Sequence, residues 1–243
     1  MNTPQKAGPE GSDSTMKKAL LASIEKGSRI GRSTALAHVS TIRYRSEGGA
    51  ATPTEVITTL GRHFTLSVTA SGGVAGAVAA APAVGTPGGL ALALADVGAF
   101  TSAAALYVFA LCEVHDIPTE DVERRRALLM LVLLGNSGTK TVETIAGRTA
   151  PYWARHVVNA VPAHTLRQVN KVLGRNFVTK YGTKQGILVL GKVVPAGFGA
   201  VIGAGGNAAF AQFVIRGARK AFGPAPTDWP ASFATDEQAS QLD

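Results

Sequence analysis

The C-terminal third of the chain contains a long apolar segment that is rich in glycine. Residues 186–218 read GILVLGKVVPAGFGAVIGAGGNAAFAQFVIRGA, in which Lys192 is the only charged residue before Arg216. The segment is long enough to cross a bilayer, but its small side chains are typical of helices whose backbones approach each other closely. It predicts a C-terminal helix over about residues 184–222 that packs tightly against other helices.

The composition predicts an all-α multi-helix bundle. Hydrophobic residues make up 46% of the 243 residues and aromatic residues only 6%, while 28 residues are glycine. Such a composition favours close contact between helices over a core of bulky side chains. Alternating β-branched residues bounded by turns extend over only a few positions, so we expect helices along the whole folded part.

The chain is predicted to form one helical domain between two tails. Residues 1–13 and 223–243 are rich in proline, glycine, serine and aspartate, and predict disordered segments, of which the second is acidic. Residues 14–222 are predicted to form a single helical domain. Its first helix is expected from Ser14 to about Arg45, as one basic amphipathic element.

Two apolar limbs predict a helical hairpin over about residues 74–112. Thr52, Pro53 and Glu55 form a capping-box pattern that begins the helix of the first limb. The proline-containing segment 82–87 ends that helix. Each limb is roughly 20 residues long, which permits either a membrane span or burial inside a soluble bundle. The high alanine content favours burial or partial insertion.

Small residues four positions apart predict close helix crossings. Gly72 and Gly76 form one such pair, and Gly199 and Gly203 form another. Asn207 lies one turn after the second pair and adds a side chain that can form a hydrogen bond to a neighbouring helix. We predict that these five residues are helix-packing positions.

Asp96 is the one acidic residue in the apolar run LALALADVGAFTSAAALYVF. An isolated buried carboxylate is unfavourable, so the residue is expected to be paired, neutralised or functional. Lys192 is the predicted partner, in a buried ion pair between helices. A role of Asp96 in handling protons or ions is the alternative.

The net charge of +8 favours an anionic partner. Residues 148–181 mix basic and aromatic residues, which is typical of nucleic-acid interfaces and of membrane interfaces. The neighbouring apolar helices favour the membrane, and nucleic acid is not favoured. A solvated basic surface without a partner is the other interpretation. The predicted membrane-surface residues are Lys17, Lys18, Arg29, Arg32, Trp153 and Arg155.

The sequence predicts no catalytic, cofactor-binding or metal site. Its five histidines show no HExxH or paired spacing, and GNSGTKT at 135–141 lacks the glycine directly before lysine that a phosphate loop needs. His115 and Asp116 are interpreted as loop residues. Cys112, in an apolar run, is predicted to be a core residue of a protein in a reducing compartment. A cytoplasmic location is expected, because residues 1–15 lack the apolar stretch of a signal peptide.

Three blocks of the sequence resemble the EcsC protein family, over about residues 86–222. The first is Pro87-Gly88-Gly89 before the helix that carries Asp96, and the second joins Asp116 to Arg124 across an acidic helix start. The third is GKVVPAGFGAVIGAGGNAAFAQFVIRGARKAF at 191–222, which is the most specific. Its matching positions are Lys192, Pro195, Gly199, Gly203, Asn207 and Gly217-Ala218-Arg219. Val114-His115 stands where the family often has Tyr-Gly.

The resemblance implies an all-helical bacterial protein linked to membrane processes, since the name-giving member is encoded beside components of an ABC transporter. The family's biochemical role is unassigned, so the resemblance supplies no catalytic residue.

We therefore expect a non-enzymatic, membrane-associated accessory or interaction protein, cytoplasmic and peripherally bound to or partly inserted in the membrane. Its expected partner is anionic lipid or a membrane protein complex, for which the resemblance implies a transporter link, and self-association is left open. One alternative is a pore-forming protein or effector whose 74–112 hairpin enters the bilayer. Another is a hydrolase with Asp96 in a buried site.

Overall fold

The structure is a computed structural model that describes residues 9–45, 50–79, 85–146, 152–179 and 199–233. Within these ranges the regular structure is helical and contains no strand. This confirms the predicted all-α multi-helix bundle.

The described residues form nine α-helices, numbered here in chain order. They are α1 Pro9–Ser28, α2 Arg32–Tyr44, α3 Pro53–Ala79, α4 Gly85–Val114, α5 Val122–Leu134, α6 Asn136–Ala146, α7 Trp153–Ala160, α8 Ala163–Val178 and α9 Gly199–Phe222. A short 3-10 helix, Ala231–Phe233, follows α9.

Helix α5 is the buried centre of one half of the bundle. Its residues 127–134 read ALLMLVLL and are all buried, so this part of the helix is apolar around its whole circumference. Asp121 caps its N-terminus by accepting a hydrogen bond from the Arg124 backbone N–H at 2.8 Å. Gly135 ends it with a φ of 58°, in the left-handed region that favours glycine. The ring of Phe213 lies 2.8 Å from the position that a Cβ of Gly135 would occupy.

Helices α3, α4 and α9 form the other half, in which α3 packs against both α4 and α9. The predicted capping box at the start of α3 is present. The Thr52 backbone N–H donates to Glu55 Oε2 at 2.8 Å, and the Glu55 N–H donates to Thr52 Oγ1 at 3.3 Å. The pKa of the Glu55 carboxyl is lowered because it accepts hydrogen bonds from the Thr52 backbone N–H and from the Thr52 hydroxyl, each at 2.8 Å. The consecutive helices α3 and α4 thus correspond to the two limbs of the predicted hairpin, whose connection at 80–84 lies outside the described residues.

The predicted first helix, from Ser14 to about Arg45, is divided into α1 and α2. The chain leaves helical geometry before Gly31, which has an extended backbone at the N-cap of α2. Gly27, near the end of α1, packs closely on the bundle, since a Cβ at this residue would lie 3.3 Å from side chains of α4 and α5. Since α1 and α2 both pack against α4, the break lets the chain follow the surface of the bundle, which a straight helix of this length does not.

Both predicted tails extend into ordered structure. Helix α1 begins at Pro9, so residues 9–13 of the predicted N-terminal tail are helical. In the predicted C-terminal tail, Phe233 is fully buried and the Trp229 indole N–H donates to the Ala51 carbonyl oxygen at 3.0 Å. The disorder predicted for residues 223–233 is therefore wrong, because two aromatic rings hold this segment on the bundle.

Arg43 of α2 provides the contact surface for those rings. Its guanidinium carbon lies 4.6 Å from the centroid of the Trp229 ring and 5.9 Å from that of Phe233, within the range of cation–π attraction. Arg43 also donates to the Phe233 carbonyl oxygen at 3.2 Å. The segment after α9 is thereby attached to α2.

One stretch of the described residues, Leu94–Val114 in α4, is long and apolar enough to cross a membrane. However, 61% of its apolar window is buried inside the bundle, as in the core helix of a soluble protein. The stretch is therefore weak support for membrane association.

The predicted C-terminal helix ends at Phe222 as expected. Residues 184–198 of that prediction, including Lys192, lie outside the described part of the chain.

Replacing Gly217 with alanine is expected to destabilise the bundle. A Cβ at Gly217 of α9 would lie 2.8 Å from the Val132 carbonyl oxygen of α5, so the two helix backbones would have to move apart. Such over-packing costs about 1–3 kcal/mol. Urea unfolding followed by circular dichroism measures this loss in the free energy of unfolding.

Gly206→Ala in the same helix is the matched control, because a Cβ at that position meets nothing within 4 Å. Because alanine has a higher helix propensity than glycine, this variant should leave the free energy of unfolding unchanged or raise it by up to about 1 kcal/mol. Equal stability of the two variants would contradict the close approach of α5 and α9.

Candidate functional site

Asp96 lies half-buried among α3, α4 and α9 and accepts hydrogen bonds from two of them. The Ser71 hydroxyl lies 3.1 Å from Asp96 Oδ1, and Asn207 Nδ2 lies 3.2 Å and 3.3 Å from the two carboxylate oxygens. Asn207 Nδ2 also donates to the Val68 carbonyl oxygen at 2.8 Å. The Asn207 amide therefore links α9 to α3 and α4. The ion pair of Asp96 with Lys192 stays a prediction, because Lys192 lies outside the described residues.

The four glycines predicted as helix-packing positions lie in the two helices that contact each other most extensively. Gly72 and Gly76 lie in α3, and Gly199 and Gly203 lie in the first turns of α9. Gly72 is buried. Tight crossing at the other three stays a prediction.

A buried ion pair lies at the C-terminal end of α4. Glu113 is 3% exposed and accepts hydrogen bonds from Arg32 Nε and from the Thr119 hydroxyl, each at 3.0 Å. Arg32 also contacts Glu120 Oε1 at 3.3 Å. Burial raises the pKa of the Glu113 carboxyl, and the hydrogen bonds from Arg32 and Thr119 oppose that rise. Arg32, predicted to lie at a membrane surface, keeps 41% of its side chain exposed while it pairs with this buried carboxylate.

A pocket of about 330 Å³ lies beside this ion pair and is lined by residues of both charge signs. Arg155 of α7 borders it and donates to the His115 backbone carbonyl oxygen. Burial lowers the pKa of His115 to about 4, and the positive charge of Arg155 contributes, so the imidazole is neutral at pH 7. The contact of Arg155 with the His115 carbonyl oxygen holds the loop after α4. Arg155 is exposed, as predicted for a membrane-surface residue, and also makes this structural contact.

Trp153 does not lie at the surface of this fold. It is 5% exposed and belongs to the buried face of α7 together with Ala154 and Val157. The prediction of a membrane-surface tryptophan is corrected accordingly, because the large indole ring contributes most when it is buried in the core. Among the other predicted surface residues, Lys18 is exposed on α1 and Lys17 is half-buried. Arg29 is 72% exposed and pairs with Glu25 at 3.3 Å.

Helix α8 carries a basic stripe on its solvent-facing side. Residues at three- and four-residue intervals fall on one face of a helix. Residues 163–178 contain no aspartate or glutamate, and the opposite face is apolar and buried. The stripe, called here the α8 stripe, consists of His164, Arg167, Lys171 and Arg175, all exposed. Among the described residues its three lysine and arginine side chains make no ion pair.

A groove of about 420 Å³ lies between α1, α5 and α8, bordering the α8 stripe. Leu21, Ile24 and Met130 form its apolar wall, and Arg167 and Lys171 lie on its α8 side. Leu21 is 46% exposed although it is a large apolar residue. The groove therefore combines an apolar wall with unpaired cations.

The acidic residues of the groove are occupied by internal partners. Arg126 pairs with Glu25 and, at 3.1 Å, with Glu123 Oε1. Glu25 also accepts a hydrogen bond from Arg29. These two acids are thus balanced inside the protein, which leaves the charge of the α8 stripe uncompensated.

Asn170 is a buried polar residue in the wall of the same groove, with 6% of its surface exposed. Its Nδ2 donates to the Glu123 carbonyl oxygen at 2.9 Å and to Glu123 Oε2 at 2.7 Å. Both partners are acceptors, which fixes the amide nitrogen on that side. Asn170 Oδ1 has no hydrogen-bond partner among the described residues.

Comparison with family models, curated proteins and solved structures gives no match, so no function is transferred to this chain. The described residues contain no group of three or more histidine, cysteine, aspartate or glutamate side chains that could hold a metal ion. The α8 stripe and the groove beside it are therefore the candidate site, on their geometry alone.

The sequence contained part of the signal for this site. The four-residue spacing of Arg167, Lys171 and Arg175 in an acid-free segment identifies an exposed basic face. These residues lie in the stretch 148–181 that predicted an interface. Asn170 gives no such signal, because its burial and its unpaired oxygen depend on how α8 packs against α5.

The buried Glu113 is expected to make stability depend on pH. Because its pKa is raised above the ordinary value of 4.5 in the folded state, its stabilising contribution is present in acid and is lost as pH rises through the folded pKa. The free energy of unfolding of the wild type, minus that of Glu113→Gln, should therefore fall between acidic and neutral pH. Urea titrations at a series of pH values measure the difference.

Glu120→Gln is the control, since Glu120 contacts the same Arg32 but is 63% exposed. The fall with pH should be larger for the Glu113 variant than for this one. A difference that rises with pH for Glu113→Gln would show that the ion pair with Arg32 outweighs burial.

Proposed function

We propose that this protein is a peripheral membrane protein of accessory type that binds anionic lipid headgroups through the α8 stripe. The observation that carries the proposal is the row of exposed cations on α8 without a single acidic residue in the helix. Leu21 of α1 is exposed beside the α8 stripe and supplies an apolar side chain that can enter the headgroup region. Lys18, one turn before Leu21, adds a further exposed cation.

The expected binding is reversible and sensitive to salt. Each lysine or arginine near an anionic bilayer contributes about 1 kcal/mol, and the attraction decays within about 10 Å at moderate ionic strength. Arg167, Lys171 and Arg175 together therefore contribute about 3 kcal/mol. A single exposed leucine adds to this without anchoring the protein permanently.

The motif resemblance to the EcsC family is compatible with this proposal. It implies a bacterial protein linked to membrane processes, and an accessory role beside a membrane complex fits a chain for which the sequence predicts no catalytic site. In this proposal the protein is cytoplasmic and works at the inner membrane surface.

A second candidate function is insertion of α3 and α4 into the bilayer, as in a pore-forming protein. Leu94–Val114 favours it by length and composition. Against it, most of that stretch is enclosed by other helices, so insertion requires the bundle to open. Peripheral binding requires no such change, and it is therefore the main proposal.

The wild-type protein is expected to bind vesicles that contain anionic lipid and not to bind zwitterionic vesicles. It should dissociate from the anionic vesicles as the salt concentration rises. Replacing Arg167, Lys171 and Arg175 with alanine should weaken binding by roughly two orders of magnitude, because three surface cations are lost. Co-sedimentation with liposomes over a range of salt concentrations measures both effects.

The matched control replaces the exposed Arg62, Arg216 and Arg219 of α3 and α9 with alanine, which removes the same charge from other helices. This variant should keep most of the affinity. If both triple variants lose affinity equally, binding follows net charge alone and the α8 stripe is not the site.

Cys112 reports whether the bundle opens on the membrane. It is the one cysteine of the chain, its side chain is fully buried in α4, and burial raises its thiol pKa well above the ordinary value. Under peripheral binding, a lipid-soluble maleimide should label it equally slowly with and without anionic vesicles. Ser33→Cys in a Cys112→Ala background is the positive control, because position 33 is exposed. Faster labelling of Cys112 on vesicles, with dye release, would support insertion instead.

A further inference from the structure

We infer that the groove between α1, α5 and α8 is a selective site for a phosphate ester that carries a free hydroxyl group, of which the phosphoglycerol headgroup of an anionic lipid is the form expected here. The inference rests on the proposed function, because it gives the α8 stripe a specific ligand in addition to a general attraction to negative charge. Four observations in the groove support it.

The first is a pair of cations placed for a phosphate group. Arg167 and Lys171 lie on one face of α8, four residues or about 6 Å apart along the helix axis. Both line the groove, and neither has an ion pair among the described residues. A guanidinium and an ammonium at this spacing can contact the same phosphate, with the guanidinium donating two hydrogen bonds to its oxygens.

The second is the unpaired oxygen of Asn170. A buried carbonyl oxygen without a donor is unfavourable, so a ligand that supplies a donor gains binding energy there. The Asn170 amide cannot flip to place its nitrogen where the oxygen lies, because Glu123 holds that nitrogen through two hydrogen bonds. Less than 1 Å² of Oδ1 is exposed, so side chains of the groove wall must move before a ligand can reach it. A hydroxyl group is small enough to follow.

The third is the apolar wall opposite the cations. Leu21, Ile24 and Met130 line it, and the Leu21 side chain lies 3.5 Å from the place of a Cβ on Gly174 of α8. This wall suits the glycerol carbons and the first methylene groups of a lipid. The groove volume of about 420 Å³ is within the ordinary range of small-molecule sites.

The fourth is the lack of an aromatic ring among the described lining residues. Single-stranded nucleic acids bind with bases stacked on such rings, so the groove has no platform for them. The combination of two neighbouring cations, a buried hydrogen-bond acceptor and aliphatic side chains therefore favours a phosphate ester with a hydroxyl group over a nucleotide.

The test compares two lipids of equal charge. Vesicles of phosphatidylglycerol and of phosphatidylpropanol, each mixed at the same fraction with phosphatidylcholine, carry the same phosphate charge and three headgroup carbons each, and they differ in the two headgroup hydroxyls. The wild type is expected to bind the phosphatidylglycerol vesicles about 3- to 10-fold more tightly, as one hydrogen bond contributes. Asn170→Ala should remove this preference and keep salt-sensitive binding to both, while Arg167→Ala with Lys171→Ala should weaken both.

Equal wild-type affinity for the two lipids overturns this inference and leaves the proposed function standing. Failure to bind either lipid overturns both. Because the lipid comparison needs only the wild-type protein, it remains decisive if Asn170→Ala fails to fold.

A soluble arm separates the two sources of the ligand. Glycerophosphoglycerol and dimethyl phosphate are titrated into the protein by calorimetry. The lipid headgroup is supported as the occupant if glycerophosphoglycerol binds much more weakly than the vesicles, because the apolar wall then contributes to binding of the lipid. If glycerophosphoglycerol binds as tightly as the vesicles, the groove is still a phosphate-ester site, but the lipid is overturned as its occupant.

Discussion

The architecture depends on a single constraint, which is that residues 127–134 of α5 are apolar around the entire circumference of the helix. A helix of this kind must be covered on all sides, and α1, α4, α6, α7, α8 and α9 all contact it. Val132 of α5 contacts α9 at Gly217, where a Cβ would lie 2.8 Å from the Val132 carbonyl oxygen. Helix α8 covers another side with its own apolar face, which directs its basic face outward. The groove forms where α1 and α8 meet beside the N-terminal part of α5, where Glu123 and Arg126 begin to replace apolar residues.

The distribution of acids then decides which cations remain available. Glu25 and Glu123 neutralise Arg126, and the buried Glu113 neutralises Arg32, so these charges stabilise contacts between helices and contribute little to the outer field. No acid on α8 does the same for its cations. The excess positive charge of the chain is therefore partly concentrated on one helix face. A field localised in this way attracts an anionic surface in a defined orientation, which an even distribution of the same net charge does not.

The sequence predicted the fold class and several helix boundaries because those depend on local patterns. The Thr52–Glu55 capping box marks the start of α3, and composition alone excluded a sheet. Properties that depend on distant residues were missed. The break before Gly31 lets α1 and α2 both pack against α4, and the ordered segment after α9 depends on the contact of Arg43 with Trp229, far along the chain. The basic residues of α8 were visible as a pattern, whereas the unpaired oxygen of Asn170 is a product of tertiary structure and has no signature in the sequence.

The structure also separates two signals that the sequence combined into one expectation of membrane association. Long apolar helices and a positive body both favour a membrane, yet they lie in different parts of the fold. Leu94–Val114 is mostly enclosed, and its neighbourhood is held by hydrogen bonds from Ser71 and Asn207 to Asp96, which insertion would have to break. Burying those polar groups in lipid without their partners is costly. The cations of α8 reach an anionic surface without any such loss. Close helix contacts at small residues such as Gly27 and Gly217 thus belong to the core, and the proposed membrane binding uses the charge outside that core.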